Sequence, residues 1–184
     1  MFRYEWIWEK TISTGFLNAN RMPLKIHENI LIFYNELPVY NPKMGEGKPF
    51  KKGYSDNDRC VLYGSHRGDY IKINEGTRYP NSIIKFKRDT GLHPTQKPVA
   101  LFEYLIKTYT NENELVLDNC AGSGTTGVAC ENLNRNSILM EQEPEYCQII
   151  KDRMATAHEL KLEQRKQTSL QAFKGQQTLI TPAK

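Results

Sequence analysis

Apolar and polar positions divide the chain into four stretches. Within residues 1–36, Tyr4-Glu5-Trp6-Ile7-Trp8-Glu9-Lys10 is rich in aromatics and partly alternates, and Glu28 to Tyr34 is a nearly continuous apolar run. Both predict strands, the second with the pattern of a strand covered on both faces in an α/β sheet. Phe16 to Pro23 has Gly, Asn and Pro signals nearby and predicts a loop. Residues 37–92 lose this order. Pro38, Pro42 and Pro49 join six glycines from Gly45 to Gly76, and only short strand-like pieces such as Ser82–Phe86 remain. That pattern predicts an irregular insertion or a small subdomain.

Periodicity returns in residues 93–155. Pro98 suits the first position of a helix, and apolar residues at 99, 102, 105, 106 and 109 form a helical stripe from Val99 to Tyr109. Leu115-Val116-Leu117 predicts a buried strand ending at Asp118, and a Gly-rich turn leads to a helix over Thr126–Leu133. Ser137–Met140 predicts a second strand ending at Glu141, and Pro144 opens another helix. Strand, Gly-rich turn, helix and strand in this order are a βαβ unit of a parallel sheet. Residues 156–184 are charged and Gln-rich, predicting a helical extension to about Lys166 and a frayed tail.

Composition narrows the class of protein. No run approaches the length of a membrane span, and the N-terminal residues lack the pattern of a secretory signal. Cys60, Cys120, Cys130 and Cys147 form no zinc spacing with the four histidines, which predicts reduced thiols in a cytoplasmic protein without a metal site. The net charge of +4 is unevenly spread, since Tyr40–Leu92 holds 11 Lys or Arg against 6 Asp or Glu. A basic segment on a near-neutral body suits either a polyanionic partner or a solvated surface.

The most informative stretch is Asp118-Asn119-Cys120-Ala121-Gly122-Ser123-Gly124-Thr125-Thr126-Gly127, between a predicted strand and a predicted helix. Glycines there let backbone approach a ligand, and a helix N-terminus offers unpaired N–H donors. Gly122, Gly124 and Gly127 match the spacing of a dinucleotide loop, so a nicotinamide cofactor is one reading. Glu141, at the tip of the next strand, suits the hydroxyls of a ribose. Asp118 would repel a pyrophosphate, whereas it suits a ligand with an ammonium and a sulfonium, such as S-adenosylmethionine.

Together with this loop and Pro144-Glu145-Tyr146, His93-Pro94-Thr95-Gln96-Lys97-Pro98 resembles the permuted class of DNA N6-adenine or N4-cytosine methyltransferases, over residues 1 to about 155. The resemblance implies an α/β, Rossmann-like S-adenosylmethionine-dependent methyltransferase fold with an irregular target-recognition insertion at 37–92 and a cofactor-binding half at 93–155. It implies that Asp118 and the Ala121, Gly122, Ser123, Gly124 and Thr125 loop cradle the methionine part of the cofactor. Glu141 would hold the ribose. Thr95, Gln96 and Lys97 would cap the methionine end, with Lys97 or backbone N–H groups near its carboxylate. Duplex DNA is the implied partner, with the target base flipped out of the stack.

Two departures stand out. The family has Pro-Phe after the motif aspartate, and here it is Asn119-Cys120, so the smaller Cys120 would lie beside the cofactor. The sequence also has no Pro-Pro pair, and hence no Asp/Asn/Ser-Pro-Pro-aromatic tetrapeptide to hold the amino group of the base. The resemblance places that tetrapeptide upstream of the strand at Tyr4–Lys10, so no catalytic residue is assigned and an incomplete sheet is expected. A DNA adenine-N6 methyltransferase completed by an upstream segment or a partner polypeptide is the leading expectation. A catalytically inactive remnant that binds DNA or cofactor is the alternative.

Overall fold

The computed structural model describes residues 1–54 and 70–178. In chain order its strands are β1 (Phe2–Thr14), β2 (Lys25–Phe33), β3 (Gly45–Glu46), β4 (Phe50–Tyr54), β5 (Tyr70–Asn74), β6 (Thr77–Arg78), β7 (Ile83–Phe86), β8 (Leu115–Asp118) and β9 (Asn136–Leu139). Its helices are α1 (Val99–Tyr109), α2 (Thr125–Asn132) and α3 (Pro144–Thr178). Met1–Asn41 and Ser82–Lys184 form one compact unit, and Pro42–Asn81 forms another. Among the described residues no helix is long and apolar enough to cross a membrane.

In the first unit, β1 runs between β2, antiparallel to it, and β7, parallel to it. The alternation of β1 places Trp6 and Trp8 on one face, where they are 4% and 2% exposed and pack with Ile84 and Leu101. Buried indoles need partners for their N–H groups. Trp8 Nε1 donates to the Phe86 carbonyl at 3.0 Å, and Trp6 Nε1 donates to the Tyr109 hydroxyl at 2.6 Å. Tyr4 shares that hydroxyl at 2.9 Å. Burial, first, and the bond with Tyr4 raise the pKa of Tyr109 well above the ordinary range, so it stays a neutral anchor.

The expectation that the 28–34 run is covered on both faces is corrected. Along β2 exposed and half-buried residues alternate, and Leu31 and Phe33 are more than half exposed. The strand has β1 on one side and no other described strand on its far edge.

α1 joins two parts of the core. Its Leu101 meets the two tryptophans, while Ile106 packs against Ala129, Cys130 and Leu133 around α2. The helix begins at Val99, one residue after Pro98, whose ψ of 137° is extended. The Asp89 carboxylate accepts the Val99 N–H at 3.1 Å and so satisfies one donor of the first turn.

β8 and β9 form a separate parallel pair, with Leu117 beside Ile138. α2 connects them as the expected βαβ unit. Gly127 of α2 sits where a Cβ would fall 2.6 Å from Leu139 Cδ1 and 2.7 Å from Met154 Sδ, so its missing side chain sets the close approach of α2 to β9 and α3. Among the described residues no strand joins β8–β9 to the three-stranded sheet.

α3 continues past Lys166 to Thr178. Gln, Lys, Leu and Ala are good helix formers, and no Pro interrupts the run. The expected tail falls partly on residues 179–184, outside those described.

In the second unit, β3 pairs with β6 and β4 with β5, both antiparallel. The Arg78 guanidinium lies 5.0 Å from the centroid of the Phe50 ring. Asn74 closes the β5–β6 turn, accepting from the Gly76 N–H at 2.9 Å and donating to the Thr77 carbonyl at 3.0 Å. In the register of the β4–β5 pair Lys52 stands opposite Lys72.

Candidate functional site

β8 delivers Asp118 to its tip, and the chain then turns sharply into α2. Gly122 and Gly124 make that turn, with φ of +52° and +78°, a region costly for residues bearing a Cβ. Space is limiting as well, because a Cβ on Gly124 would lie 3.0 Å from Ile150 Cγ1. The loop is pinned from several sides. Asp118 Oδ1 accepts the Cys120 N–H at 3.0 Å, and its Oδ2 accepts the Thr126 hydroxyl. Arg153 of α3 donates to the Ser123 carbonyl at 2.6 Å and to its hydroxyl at 3.1 Å. The Thr125 hydroxyl donates to the Lys97 carbonyl at 3.2 Å and ties the loop to the segment before α1.

These contacts border a cleft of about 510 Å³. Its lining includes Thr95, Gln96, Lys97, Asp118, Cys120, Ala121, Gly122, Ser123 and Thr125, which is every expected site residue except Gly124 and Glu141. One wall is apolar, made by Phe102, Leu105 and Ile106 of α1 with Val116 and Leu117 of β8. Gly124 lines neither this cleft nor the groove beside it, and its place is in the turn. Glu141 borders an adjoining groove of about 570 Å³ together with Thr95, Cys120 and Gly122. Segments more than twenty residues apart in sequence thus converge on two neighbouring hollows.

Glu141 is held by backbone donors. Its Oε2 accepts the Gly122 N–H at 2.8 Å, and its Oε1 accepts those of Gln142 and Glu143 at 2.9 and 3.1 Å. The N–H groups of Glu143, Gly122 and Gln142 keep this carboxyl below the usual carboxylate range. It is therefore ionised at neutral pH. A carboxylate has about four acceptor sites, so the three backbone bonds leave one for the groove.

Several residues at the site were given no role by the sequence, among them His93, although it opens the His93–Pro98 motif. His93 lines both hollows; its Nδ1 accepts the Thr95 N–H at 3.1 Å, and its ring centroid lies 4.5 Å from that of Tyr146. Glu28, 69 positions before Lys97, receives the Lys97 ammonium at 2.7 Å. Arg153 reaches Ser123 from 30 positions away. Spacing along the chain cannot show such pairs.

The cysteines differ sharply. Cys120 is exposed and lines both hollows, whereas Cys130 is 0% exposed and burial pushes its thiol up to about 11. Thiolates, not thiols, react with alkylating agents. Iodoacetamide near neutral pH is therefore expected to modify Cys120 in the native chain and Cys130 only on unfolding. Peptide mass mapping reads this out, and equal rates at the two sites would contradict the packing described. Cys60 lies outside the described residues.

A strand-tip acid, a Gly-turn into a helix and a second acid just beyond the neighbouring strand sit on a βαβ unit of the Rossmann-like type. The chain belongs to the DNA methylase family of N6 and N4 methyltransferases, whose model matches residues 1–152. It is 45% identical to the type II methyltransferase M.HpaI of Haemophilus parainfluenzae over 151 aligned residues, covering 70% of this chain and 48% of that one. It is 33% identical to M.HindIII of Haemophilus influenzae, covering 59% and 38%. The chain thus spans about half or less of the length of these curated relatives. Among solved structures it is similar to M1.HpyAVI in complex with S-adenosylmethionine, at 31% identity and a TM-score of 0.55, over 84% of this chain and 62% of that one. The cytosine-N4-specific PvuII methyltransferase matches in fold, with 17% identity, a TM-score of 0.55 and coverage of 81% and 49%.

Proposed function

We propose that this chain is the cofactor-binding and target-recognition part of a DNA methyltransferase acting on adenine N6 in duplex DNA in the cytoplasm. The observation that carries the reading is the convergence of Asp118, the Ala121–Thr125 turn and Thr95–Lys97 on one cleft in a member of the DNA methylase family. The charges fit S-adenosylmethionine, which supplies a methyl group on a sulfonium. Asp118 offers a carboxylate to the ammonium of the methionine end, and the apolar wall from α1 and β8 suits the uncharged part of the ligand. Glu141 has one acceptor site for a ribose hydroxyl, and holding the second requires one of its three backbone N–H donors to give way. Residues 37–92, basic and interleaved with tyrosines, are the part proposed to grip phosphates and reach base edges.

The amino group of the target base needs a Pro-Pro-aromatic tetrapeptide, and this sequence has no Pro-Pro pair. The reading therefore includes an upstream segment, or a partner polypeptide, that supplies the tetrapeptide on a strand between the two separate sheets. The unpaired outer edges of β2 and β8 support this.

The test combines the chain with the product of the coding region just upstream, duplex DNA and radiolabelled S-adenosylmethionine, followed by nucleoside mass spectrometry. N6-methyladenine is the expected product. N4-methylcytosine would overturn the choice of base alone. No transfer by a pair that folds and binds cofactor would leave the inactive remnant as the function.

A further inference from the structure

Three charged side chains from separate parts of the chain meet beside the cleft. Lys10 of β1 is almost enclosed, with 4% of its side chain exposed; it pairs with Glu28 Oε1 at 3.5 Å and bonds Thr14 Oγ1 at 3.2 Å. Glu28 of β2 gives its other oxygen to Lys97 Nζ at 2.7 Å. Lys97 is more open, with 37% of its side chain exposed, and its ammonium lies 5.8 Å from the centroid of the Trp8 ring. Among the described residues this is the ion pair that links the three-stranded sheet to the segment lining the cleft.

One carboxylate between two ammonium groups leaves a net positive charge. Lys10 needs Glu28, because a buried charge without a partner is costly. Lys97 is exposed enough to be solvated without it. Burial alone would favour the neutral acid of Glu28, but the bond and charge of Lys97, with the charge of Lys10, outweigh this and keep the carboxylate ionised. Lys10 thus fixes Glu28, and Glu28 in turn fixes a residue of the cleft. A free lysine side chain samples many rotamers, and ordering it on ligand binding weakens affinity. A lysine already held avoids that loss, and its ammonium still has donors to spare.

We propose that Glu28 is a positioning residue of the cofactor site: buttressed by Lys10, it holds the Lys97 ammonium at the cleft, ready to pair with the carboxylate of an amino-acid-bearing ligand. This rests on the S-adenosylmethionine reading above and adds to it a residue of the N-terminal hairpin. It also makes the affinity of the cleft depend on the integrity of the β1–β2 pair.

The test is calorimetry on the full chain carrying Lys10→Met with Glu28→Gln. This pair of changes removes one charge of each sign, so the net charge beside Lys97 is unchanged and only its anchor is lost. Two ligands are compared: S-adenosylhomocysteine, which carries the amino-acid carboxylate, and 5′-methylthioadenosine, which lacks it. Affinity for the first is expected to fall about 3- to 10-fold while the second stays within about twofold. An equal loss for both ligands would mean a purely structural role, and no loss for either would mean that Lys97 needs no anchor; each overturns the proposal. If the double variant does not fold, Glu28→Asp, which keeps the charge but cannot span both lysines, is judged by the same two ligands. Wild-type chain that binds neither ligand would instead overturn the cofactor reading itself.

Discussion

Replacing Asp118 by Ala is expected to abolish saturable binding of S-adenosylmethionine, while Asp118→Asn weakens it by about 10- to 100-fold. The two substitutions separate two tasks of one side chain. The aspartate accepts the Cys120 N–H with one oxygen and the Thr126 hydroxyl with the other. Asparagine can keep both bonds by accepting from Cys120 and donating to the Thr126 oxygen, so the turn survives and only the negative charge is lost. A hydrogen bond to a charged group contributes about 1.5–3 kcal/mol, which sets the range for the Asn variant. Alanine removes the charge and also leaves Thr126, 3% exposed, without its carboxylate acceptor. Isothermal calorimetry on the folded variants reads both effects. Binding by the Ala variant equal to wild type would remove Asp118 from the site.

How much of this site the sequence revealed depends on how far apart its parts lie. The stretch from Val99 to Glu141 follows local rules. A 3.6-residue stripe, a short strand, a Gly-rich turn and a second strand predicted α1, β8, α2 and β9 to within about a residue or two, as local patterns can. The stripe nevertheless missed Leu101, because α1 is packed from two sides and a single-face pattern describes only one of them. Pairing between distant segments left no trace. The strand at Ile83–Phe86 was visible as strand-like, but its parallel pairing with β1 was not, since register is set by three-dimensional neighbours. Glu28 lay in a run whose apolar residues drew the reading toward a fully covered strand. Its charge, which breaks that pattern, is the residue that reaches Lys97. A charged residue at the start of an apolar run was thus the one available hint of this partly exposed ion pair.

The exposed side of β8–β9 leads to the second large effect, of opposite sign in two measurements. In the observed register Leu115, Leu117, Ile138 and Met140 share one face and are 58%, 60%, 45% and 51% exposed. Val116 and Leu139, on the other face, turn toward α2 and are partly buried. Parallel sheets are ordinarily covered on both faces, and contiguous apolar residues left in water favour self-association. Changing Leu115→Glu together with Ile138→Lys adds no net charge and avoids both the cleft and the α2 side. The isolated chain should then be more soluble and more monodisperse in light scattering, because these positions bury little in it. In the proposed function the same face must accept the segment that completes the sheet. Reconstitution with the upstream segment should therefore lose at least about 100-fold in methylation, since seating each charge in an apolar interface costs several kcal/mol. A variant that gains solubility and is still fully reconstituted would show that the completing segment does not cover this face, and would leave the sheet edges, those of β2 and β8 among them, as its points of attachment.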